Sequence, residues 1–417
     1  MLRAVEAARE EIVDLTRALI RVPTVNPPGE LYEPCARLLG DTLHAQGFDV
    51  EYYTASDRPE NSAKHPRVNV VGRKRGRRDR PCLHLNGHID VVPVGAGWTV
   101  HPFGGEVRDG RIYGRGASDM KGGIAAAVFA AECVRRAGVE LEGTVEISGT
   151  VDEESGGWAG VAHLANIGRL TSKSTDFVII PEPLEVDRIC VGHRGVYWFE
   201  VTANGRIAHG SMPFLGDNAI EHMGEVLYAM RHQLAPEFAR RLTAMPVVPE
   251  GARRATLNIN SIIGGQAGHE VQTPCVADCC SAIFDRRFLE EEPFDRVRGE
   301  IVELLDGVRL RIPEARFDMR DLMIVHPVRT PDGSPLVASL ARGILDVVGR
   351  DAAIVASPGT YDHKHVTRIG GIDHCVAYGP GRLEISHQPD EWCGIDDLVQ
   401  ATQVMALSLL DLLGVVG

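Results

Sequence analysis

Short apolar runs alternate with helical stretches over the first 190 residues, and this alternation constrains the fold more than any other feature of the sequence. We predict strands at 68–72, 82–86, 143–150 and 177–180 and helices at 31–46 and 122–136. Short apolar strands separated by helices favour an α/β fold whose mostly parallel sheet is covered by helices on both faces. In such sheets, functional groups gather at the carboxyl ends of the strands.

The pattern changes near residue 191, where strand-like segments begin to alternate apolar and polar side chains. Helical stretches at 219–233 and 294–305 interrupt these segments, which predicts a smaller α+β (ferredoxin-like) domain with an antiparallel sheet. Helical patterns return near the end of the chain, and 417 residues are too many for one ordinary domain. We therefore expect a discontinuous catalytic domain, residues 1–190 and 327–417, interrupted by an inserted domain, residues 191–326.

Composition narrows the classes of function that the chain can have. The 44 basic and 57 acidic side chains give a formal charge of −13, which argues against nucleic acid as a partner. No apolar run is long enough to predict a membrane span or a signal peptide. The nine cysteines include no CxxC pair, so we expect a reducing, cytoplasmic location. A small-molecule substrate fits these exclusions.

Histidines and carboxylates recur in the loops that follow the apolar runs. They are His88, Asp90, Asp119, Glu153, Glu154, Glu182 and His387. These residue types are the ones that a pair of divalent metal ions and a general base require. The residues lie far apart in the sequence, so only folding can gather them. The pattern indicates a hydrolase with a binuclear metal centre.

Each of these positions also has a structural interpretation. His88 and Asp90, two residues apart in an extended segment, place both side chains on one side, although a capped histidine in a turn fits equally well. Asp119 precedes a helix and could simply cap it. In extended backbone, the side chains of Glu153 and Glu154 diverge, so that one can bind a metal while the other serves as base. The alternative is a solvent-exposed acidic loop.

Taken in order, seven motifs resemble the M20 metallopeptidase family: GHIDVVP, GRGASDMKGG, DEESGG, PEP, AHGSMP, GPG and HQPDE. The resemblance extends from about residue 19 to residue 412. The family includes acetylornithine deacetylases, succinyl-diaminopimelate desuccinylases, aminoacylases and glutamate carboxypeptidases. It implies two divalent metal ions, with zinc as the default and manganese or cobalt as alternatives that suit the same ligands.

The resemblance also implies a role for each candidate residue in the centre. Asp119 bridges the two ions, Glu154 and His387 complete one of them, His88 and Glu182 complete the other, Asp90 orients His88, and Glu153 is the general base. The expected reaction is hydrolysis of an amide or peptide bond in a small substrate that carries a carboxylate, such as an N-acyl amino acid.

In the family, the inserted domain supports a homodimer and closes over the active site. By this resemblance, His209 polarises the substrate carbonyl, often across the dimer, and Arg287 rather than Arg286 binds the substrate carboxylate. The loop containing Gly359, Thr360 and Asp362 lies beside the substrate.

Two departures from the family pattern leave the substrate open. The family usually has an asparagine near the GG loop, whereas His269 or Glu270 stands close to that place here. His363, Lys364 and His365 follow Asp362, and they either face solvent or recognise an anion or an aromatic ring.

Three hypotheses follow for the function. The leading one is deacylation of an N-acyl amino acid or a similar amide. The second is action on an unusual centre, as a deformylase or deaminase of a ring-bearing metabolite, and the third is a non-catalytic binding relative. The sequence does not determine the acyl group, the amine or the physiological metal.

Overall fold

The computed structural model describes residues 1–267 and 274–417 and confirms the predicted α/β fold class. The chain divides into two compact units. The large unit comprises Met1–Gly192, Arg329–Val355 and Tyr361–Gly417. The small unit comprises His193–Val328 and Ala356–Thr360, so a five-residue segment late in the chain belongs to it.

Sixteen strands lie within the described residues. They are β1 (Asp49–Thr54), β2 (Val68–Lys74), β3 (Cys82–His88), β4 (Glu106–Arg108), β5 (Arg111–Tyr113), β6 (Thr144–Thr150), β7 (Phe177–Ile180), β8 (Arg188–His193), β9 (Gly195–Asn204), β10 (Thr256–Gly265), β11 (Cys279–Phe288), β12 (Arg316–Val325), β13 (Val328–Arg329), β14 (Ala353–Ser357), β15 (Cys375–Ala377) and β16 (Trp392–Gly394).

Eleven α-helices lie within the same part of the chain. They are α1 (Leu2–Ala7), α2 (Arg9–Ile20), α3 (Tyr32–Ala45), α4 (Gly122–Arg136), α5 (Val161–Asn166), α6 (Ala219–Ala229), α7 (Ala235–Arg240), α8 (Phe294–Arg311), α9 (Pro335–Val348), α10 (His363–Arg368) and α11 (Ile395–Leu413). In the described residues, no helix is both long enough and apolar enough to cross a membrane.

The large unit is built on a mixed sheet with the strand order β1-β2-β6-β3-β7-β15-β8-β13, in which β14 also pairs with β8. The four central strands, β6, β3, β7 and β15, run parallel to their neighbours within this group. Strands β1 and β2 add antiparallel pairs at one side, and β8 pairs antiparallel with β15. The parallel strands that the apolar runs predict therefore form the centre of the sheet.

Both faces of this sheet are covered. Along β7, Ile179 packs into the cluster that contains α4, α9 and α11, whereas Val178 and Ile180 pack into a second cluster with α5 and α10. Strand β15 divides its side chains in the same way. Side chains that alternate along a strand point to opposite faces, so the central strands need apolar residues at consecutive positions. This requirement explains the continuous apolar runs in the sequence.

The small unit has the element order β9-α6-α7-β10-β11-α8-β12, and its antiparallel sheet has the strand order β10-β11-β9-β12. This is the ferredoxin-like arrangement. In β9 buried residues alternate with half-exposed ones, and the buried Tyr197, Phe199 and Val201 pack in one cluster with apolar side chains of α6 and α8. One face of the sheet thus carries the core of the unit.

The carboxyl ends of three neighbouring strands bring candidate residues to one edge of the large sheet. His88 is the last residue of β3, Glu153 lies three residues beyond β6, and Glu182 lies two residues beyond β7. Because β3 is parallel to both β6 and β7, these three ends lie side by side. The strand order therefore gathers residues that are separated by up to 94 positions in the chain.

Candidate metal centre

His88 is fully buried at the end of β3, and both of its ring nitrogens have partners. Nδ1 donates to the backbone carbonyl of Asp90 at 2.9 Å, which directs Nε2 toward Asp119 Oδ1 at 3.1 Å. The Asp90 carboxylate stands further from the ring, with Oδ1 3.6 Å from Nδ1. A fixed Nδ1 partner sets the tautomer of a ligating histidine, and here the backbone of Asp90 provides the closer contact.

The Asp90 carboxylate instead holds the turn that contains Glu153 and Glu154. It accepts the backbone N–H groups of Glu153 at 3.2 Å and of Glu154 at 3.1 Å. Asn26 Nδ2 donates to the same carboxylate at 2.8 Å and to Ser155 Oγ at 3.0 Å. Sequence reasoning missed Asn26 as a support of this turn, because nothing in its own segment indicates a partner 64 residues away.

Glu153 and Glu154 lie in a short 3-10 turn, Glu153–Ser155, and the expectation of an extended backbone here is wrong. Asp152 at φ 60° and Gly156 at φ 113° bound the turn with left-handed residues. The buried Asp152 side chain is held by Arg67 at 2.9 Å and by Tyr32 at 2.7 Å, which supports its conformation. The two glutamates are only partly exposed, so this segment is not a solvated acidic loop.

Asp119 lies in an irregular π-type turn, Ala117–Lys121, between β5 and α4, and its side chain is almost fully buried. The side chain caps no helix, because the residue that precedes α4 is Lys121 and no side-chain cap bond is made there. The capping interpretation of Asp119 is therefore wrong. Its two oxygens face different histidines, with Oδ1 3.1 Å from His88 Nε2 and Oδ2 3.4 Å from His387 Nε2.

Glu391 holds this turn and was not recognised as a functional residue from the sequence. Its Oε1 accepts the backbone N–H groups of Gly116, Ser118 and Asp119 at 3.0, 2.9 and 3.1 Å. Its Oε2 receives Arg115 Nη1 at 2.5 Å. Pairing of β16 with β5 brings Glu391, which precedes β16, next to the turn that follows β5. The position of Glu391 in the HQPDE motif is the one sequence feature that points to a role for it.

His387 and Glu182 complete the group. His387 Nε2 lies 3.1 Å from Glu154 Oε1, and its side chain is 49% exposed, so this side of the centre is open to solvent. Glu182 is buried and lies close enough to Asp119, His88 and Glu153 for their charges to affect its ionisation. Ligand atoms of His88, Asp119 and Glu154 all lie within 4.8 Å of one another.

The neighbouring carboxylates favour the protonated forms of both histidines. Hydrogen bonds with Asp119 and Glu154 raise the pKa of His387 to about 10. Burial by itself disfavours a charge on His88, but its hydrogen bonds with Asp119 and Asp90 outweigh burial and raise the pKa of His88 well above the ordinary value of 6.5. A metal ion that binds these rings must therefore compete with protons for their nitrogens.

The carboxylates divide into one that is strongly ionised and two that resist ionisation. Burial alone would raise the pKa of Asp119, but hydrogen bonds with His387 and His88 outweigh it and lower that pKa. Burial raises the pKa of Glu154 to about 7. Burial, reinforced by the charge of Asp119, raises the pKa of Glu182 well above its ordinary range. Glu154 and Glu182 therefore need an additional positive charge to be ionised at neutral pH.

These residues fit a divalent metal centre. Two imidazoles and three carboxylates converge, and the carboxylates are buried without enough protein cations to neutralise them. Imidazole and carboxylate are the ligands of catalytic zinc sites, and a divalent ion supplies the missing charge. His88, Asp119, Glu154, Glu182 and His387 would hold the metal, and Glu153 remains outside this set.

Asp362, His363, Lys364 and His365 are all buried in the large unit, so solvent exposure of this segment is wrong. Asp362 Oδ2 accepts Asn86 Nδ2 at 3.2 Å, and burial raises the pKa of Asp362 to about 7. Lys364 Nζ lies 3.5 Å from Glu153 Oε1. His365 Nε2 contacts the backbone carbonyl of Gly156 at 2.7 Å. The segment therefore packs against the turn that carries Glu153.

The remaining predicted residues belong to the small unit or lie outside the described residues. His209 is exposed on the loop between β9 and α6, and its Nδ1 accepts the backbone N–H of Ser211 at 3.1 Å, which places the proton of the neutral ring on Nε2. Thr360 ends the segment Ala356–Thr360. His269 and Glu270 fall in the range 268–273, outside the described part of the chain.

Arg287, on β11, is half-buried and bonds to Asp285 through Nε at 2.7 Å and Nη2 at 3.0 Å. The neighbouring Arg286 is fully buried and bonds to Glu292 at 2.6 Å, consistent with a structural role. Arg194 was missed from the sequence. Burial, followed by the positive charge of Arg287, lowers the pKa of Arg194 to about 10, and the charge of Asp285 opposes this shift, so two arginines and one aspartate of the small unit lie close together.

Comparison with known proteins shows which family and which enzymes this chain resembles. The model of the peptidase family M20/M25/M40 matches residues 84–411. The succinyl-diaminopimelate desuccinylase of Psychrobacter arcticus is 28% identical over 411 residues, which cover 97% of this chain and 95% of that protein. The enzyme of the same name from Stenotrophomonas maltophilia is 29% identical over 395 residues, covering 93% and 95%.

Solved structures share the fold over almost the whole chain. The M20 family metallo-carboxypeptidase Sso-CP2 from Sulfolobus solfataricus superposes with a TM-score of 0.76 at 20% identity, covering 96% of this chain and 99% of that one. A dinuclear metal binding peptidase of the M20 family from Bacillus subtilis gives a TM-score of 0.69 at 17% identity, covering 98% and 99%. At sequence identities this low, the superpositions show that the fold is shared.

Proposed function

The chain belongs to the peptidase family M20/M25/M40, and from that premise we propose that it deacylates a small N-acyl amino acid at a binuclear metal centre. Its assignment as a metal-dependent amidohydrolase follows from the family and from the named relatives. The substrate, the use of two ions and the identity of the base are parts of the proposal.

One observation carries the proposal. The two oxygens of Asp119 contact different histidines, Oδ1 with His88 and Oδ2 with His387. A carboxylate whose oxygens contact two different imidazoles suits a ligand shared by two ions. Glu154 adds a carboxylate beside His387, and Glu182 lies within electrostatic reach of Asp119 and His88. Zinc is the first metal to test, because a hydrolytic centre with imidazole and carboxylate ligands is typical of zinc enzymes.

The reaction assigns distinct tasks to the side chains. When bound, the metal ions would activate a water molecule and polarise the amide carbonyl. Glu153, next to the ligand Glu154 but outside the ligand set, accepts a proton from the attacking water and later donates it to the leaving nitrogen. His209 donates from Nε2 to the oxygen on which negative charge develops. Asp90 holds the backbone of Glu153 and Glu154 in place by accepting their N–H groups.

The substrate is proposed to be an amide that carries at least one free carboxylate. Support comes from Arg287 and from the neighbouring positive charge of Arg194 in the small unit. Thr360 and Asp362 are proposed to lie beside the substrate, with His269 as a further contact. The relatives are named as desuccinylases, so N-succinyl amino acids are the first substrates to test.

We also propose that the enzyme is a cytoplasmic homodimer. Strand β10 forms one edge of the small sheet and exposes Ile259, Ile262 and Ile263, the last of them by 76%. An exposed apolar edge strand is a template for pairing with another chain, and a second copy offers the same edge. Sedimentation of the wild type and of Ile263→Lys tests this, because the charge should shift the variant toward monomer.

The function is tested with purified protein supplied separately with zinc, manganese or cobalt. N-succinyl and N-acetyl amino acids form one substrate group, and aromatic amides and ring-bearing amines form the other, with release of free amine or acid as the readout. Turnover of the first group, abolished by a chelator and restored by metal, is the expected result. Turnover of the second group alone would refute the deacylase assignment, and no metal-dependent turnover would favour a binding protein.

A further inference from the structure

Helix α10 and the residue before it contact the turn that carries Glu153 at three points. Lys364 Nζ lies 3.5 Å from Glu153 Oε1, and His365 Nε2 lies 2.7 Å from the carbonyl oxygen of Gly156. At the third point the packing is tight, because a Cβ on Gly157 would lie 2.6 Å from Asp362 Oδ1.

The two side chains that make polar contacts are unusual in their burial. Lys364 is 6% exposed and His365 is 5% exposed, although HKH in a six-residue helix is a polar sequence. Burial of an ammonium group is costly unless a negative charge compensates it. Glu153 lies within ion-pair distance of Lys364, and the charge of Lys364 also acts on Asp362, so part of the cost of burying Lys364 is offset at the proposed base itself.

His365 restrains the backbone of the turn. Burial lowers the pKa of His365 to about 3, so the ring is neutral at physiological pH. Because Gly156 presents a carbonyl oxygen, Nε2 must be the protonated nitrogen that donates to it. The ring also packs on Trp158, with centroids 4.8 Å apart. His365 thereby holds the residue that ends the turn, a glycine whose φ of 113° lies in the left-handed region.

A short turn needs such restraint. The Glu153–Ser155 turn is a single 3-10 turn, which cannot hold its own geometry as a longer helix does. Asp90 restrains it from the backbone side by accepting two N–H groups. The Glu153 side chain itself has several rotatable bonds, and Lys364 is the group that contacts its carboxylate.

We propose that Lys364 and His365 are positioning residues, which hold the Glu153 carboxylate and its turn in the orientation that proton transfer requires. This inference rests on the proposed function of Glu153 as general base. A misplaced base lowers the rate of the chemical step, whereas it leaves substrate binding and the metal ligands unchanged. Neither residue is assigned a contact with the substrate.

Four variants test the proposal in the metal-loaded enzyme. Lys364→Met removes the charge and keeps the length, Lys364→Arg restores the charge, His365→Phe removes the donor, and His365→Gln restores a donor. We expect kcat to fall about 10- to 100-fold in Lys364→Met and His365→Phe, with KM and metal content close to the wild type. Lys364→Arg and His365→Gln should recover much of kcat. Lys173→Met, at an exposed lysine, is the matched control.

Hydrogen exchange of the peptide that covers residues 152–160 gives a second readout that does not depend on turnover. The turn should exchange faster in Lys364→Met and in His365→Phe than in the wild type. If Lys364→Met fails to fold, the pair His365→Phe and His365→Gln still decides the question.

Three outcomes overturn the inference. One is an unchanged kcat together with unchanged exchange, and another is a raised KM at unchanged kcat, which would make Lys364 a substrate-binding residue. The third is failure of both conservative variants to recover activity. Absence of amide hydrolysis by the wild type would instead refute the proposed function, so the two failures are distinguishable.

Discussion

The carboxylate of Glu391 accepts the backbone N–H of Asp119 at 3.1 Å, although 272 residues separate the two in the chain. The same oxygen accepts two further N–H groups of the turn, and the other oxygen pairs with the buried Arg115. One carboxylate outside the ligand set therefore fixes the turn that presents the proposed bridging ligand. Burial raises the pKa of Glu391 to about 7, and Arg115 and the backbone N–H of Asp119 oppose this rise.

Glu391→Gln should weaken metal binding without abolishing the fold. The amide oxygen can still accept the backbone N–H groups, but the side chain loses the charge that pairs with Arg115. Its NH2 group would then face the Arg115 N–H donor, and two donors cannot form a hydrogen bond with each other. We expect metal affinity to fall about 10- to 100-fold, as is usual for groups that orient a ligand. Competition with a metal indicator measures this affinity. Glu384→Gln, at an exposed acid of the same loop, should bind metal as the wild type does.

Glu153→Gln and Glu154→Gln should separate the chemistry from metal binding, although the residues are adjacent. Glu153→Gln is expected to lower kcat by about 10²- to 10⁴-fold, because the amide cannot accept the proton, while metal content stays near that of the wild type. Glu154→Gln should lose metal, since its carboxylate faces His387 in the centre. Elemental analysis measures the metal content of each variant, and initial rates measure its kcat. Loss of metal in Glu153→Gln would contradict the division of roles.

Metal affinity should increase as pH rises from about 7 to about 10. The pKa of His387 lies at about 10 in the metal-free protein, so its ring is protonated at neutral pH. A ligating imidazole must be neutral, and protons therefore compete with metal at every pH below that value. For one such proton, each pH unit changes the apparent affinity by about tenfold. An affinity that is constant over this interval would contradict the expectation.

Calorimetry provides the matching measurement of proton release. Titration of metal into the metal-free protein near neutral pH, in two buffers with different ionisation enthalpies, should show release of at least one proton. His387→Gln should release fewer protons than the wild type. His44→Gln, an exposed histidine on α3, should behave as the wild type does.

Glu146→Ala should destabilise the large unit by about 3–5 kcal/mol, because it leaves buried partners uncompensated. Glu146, on β6, lies 3.0 Å from His84 Nδ1 and accepts Arg169 Nη1 at 3.0 and 3.1 Å. Denaturant unfolding measures the loss. Glu33→Ala removes an exposed pair with Arg37 and should cost less than about 1 kcal/mol. Equal losses in the two variants would contradict this ranking.

The same carboxylate gives a pH dependence with a definite sign. Burial alone would raise the pKa of Glu146, but the hydrogen bond with His84 and the charges of His84 and Arg169 together outweigh burial, and the pKa lies below the ordinary value of 4.5. A carboxyl group whose pKa is lower in the folded state stabilises the protein at pH values above the unfolded-state pKa. Its contribution is therefore lost as the pH falls through the folded-state value. The stability difference between the wild type and Glu146→Ala should shrink in acid.

Sequence reasoning predicted the elements closely where the apolar pattern is continuous. The helix at 122–136 and the strand at 177–180 have the predicted bounds. It was less successful where backbone conformation depends on distant partners. The segment 153–155 forms a 3-10 turn because Asp90, more than sixty residues earlier, accepts its N–H groups. No periodicity within the segment could indicate that contact.

The sequence by itself determined the order of helices and strands and the residue types of a metal centre, because hydrophobic periodicity and ligand chemistry are local properties of the chain. Only the tertiary structure decided which residues support that centre. The local sequence around Glu391 and Asn26 does not indicate their contacts, and it marks Lys364 only as a departure from the family pattern. Each of the three acquires its role from a partner that strand pairing and burial bring near. A buried polar group must find a partner wherever the fold provides one, and a sequence pattern does not contain that information.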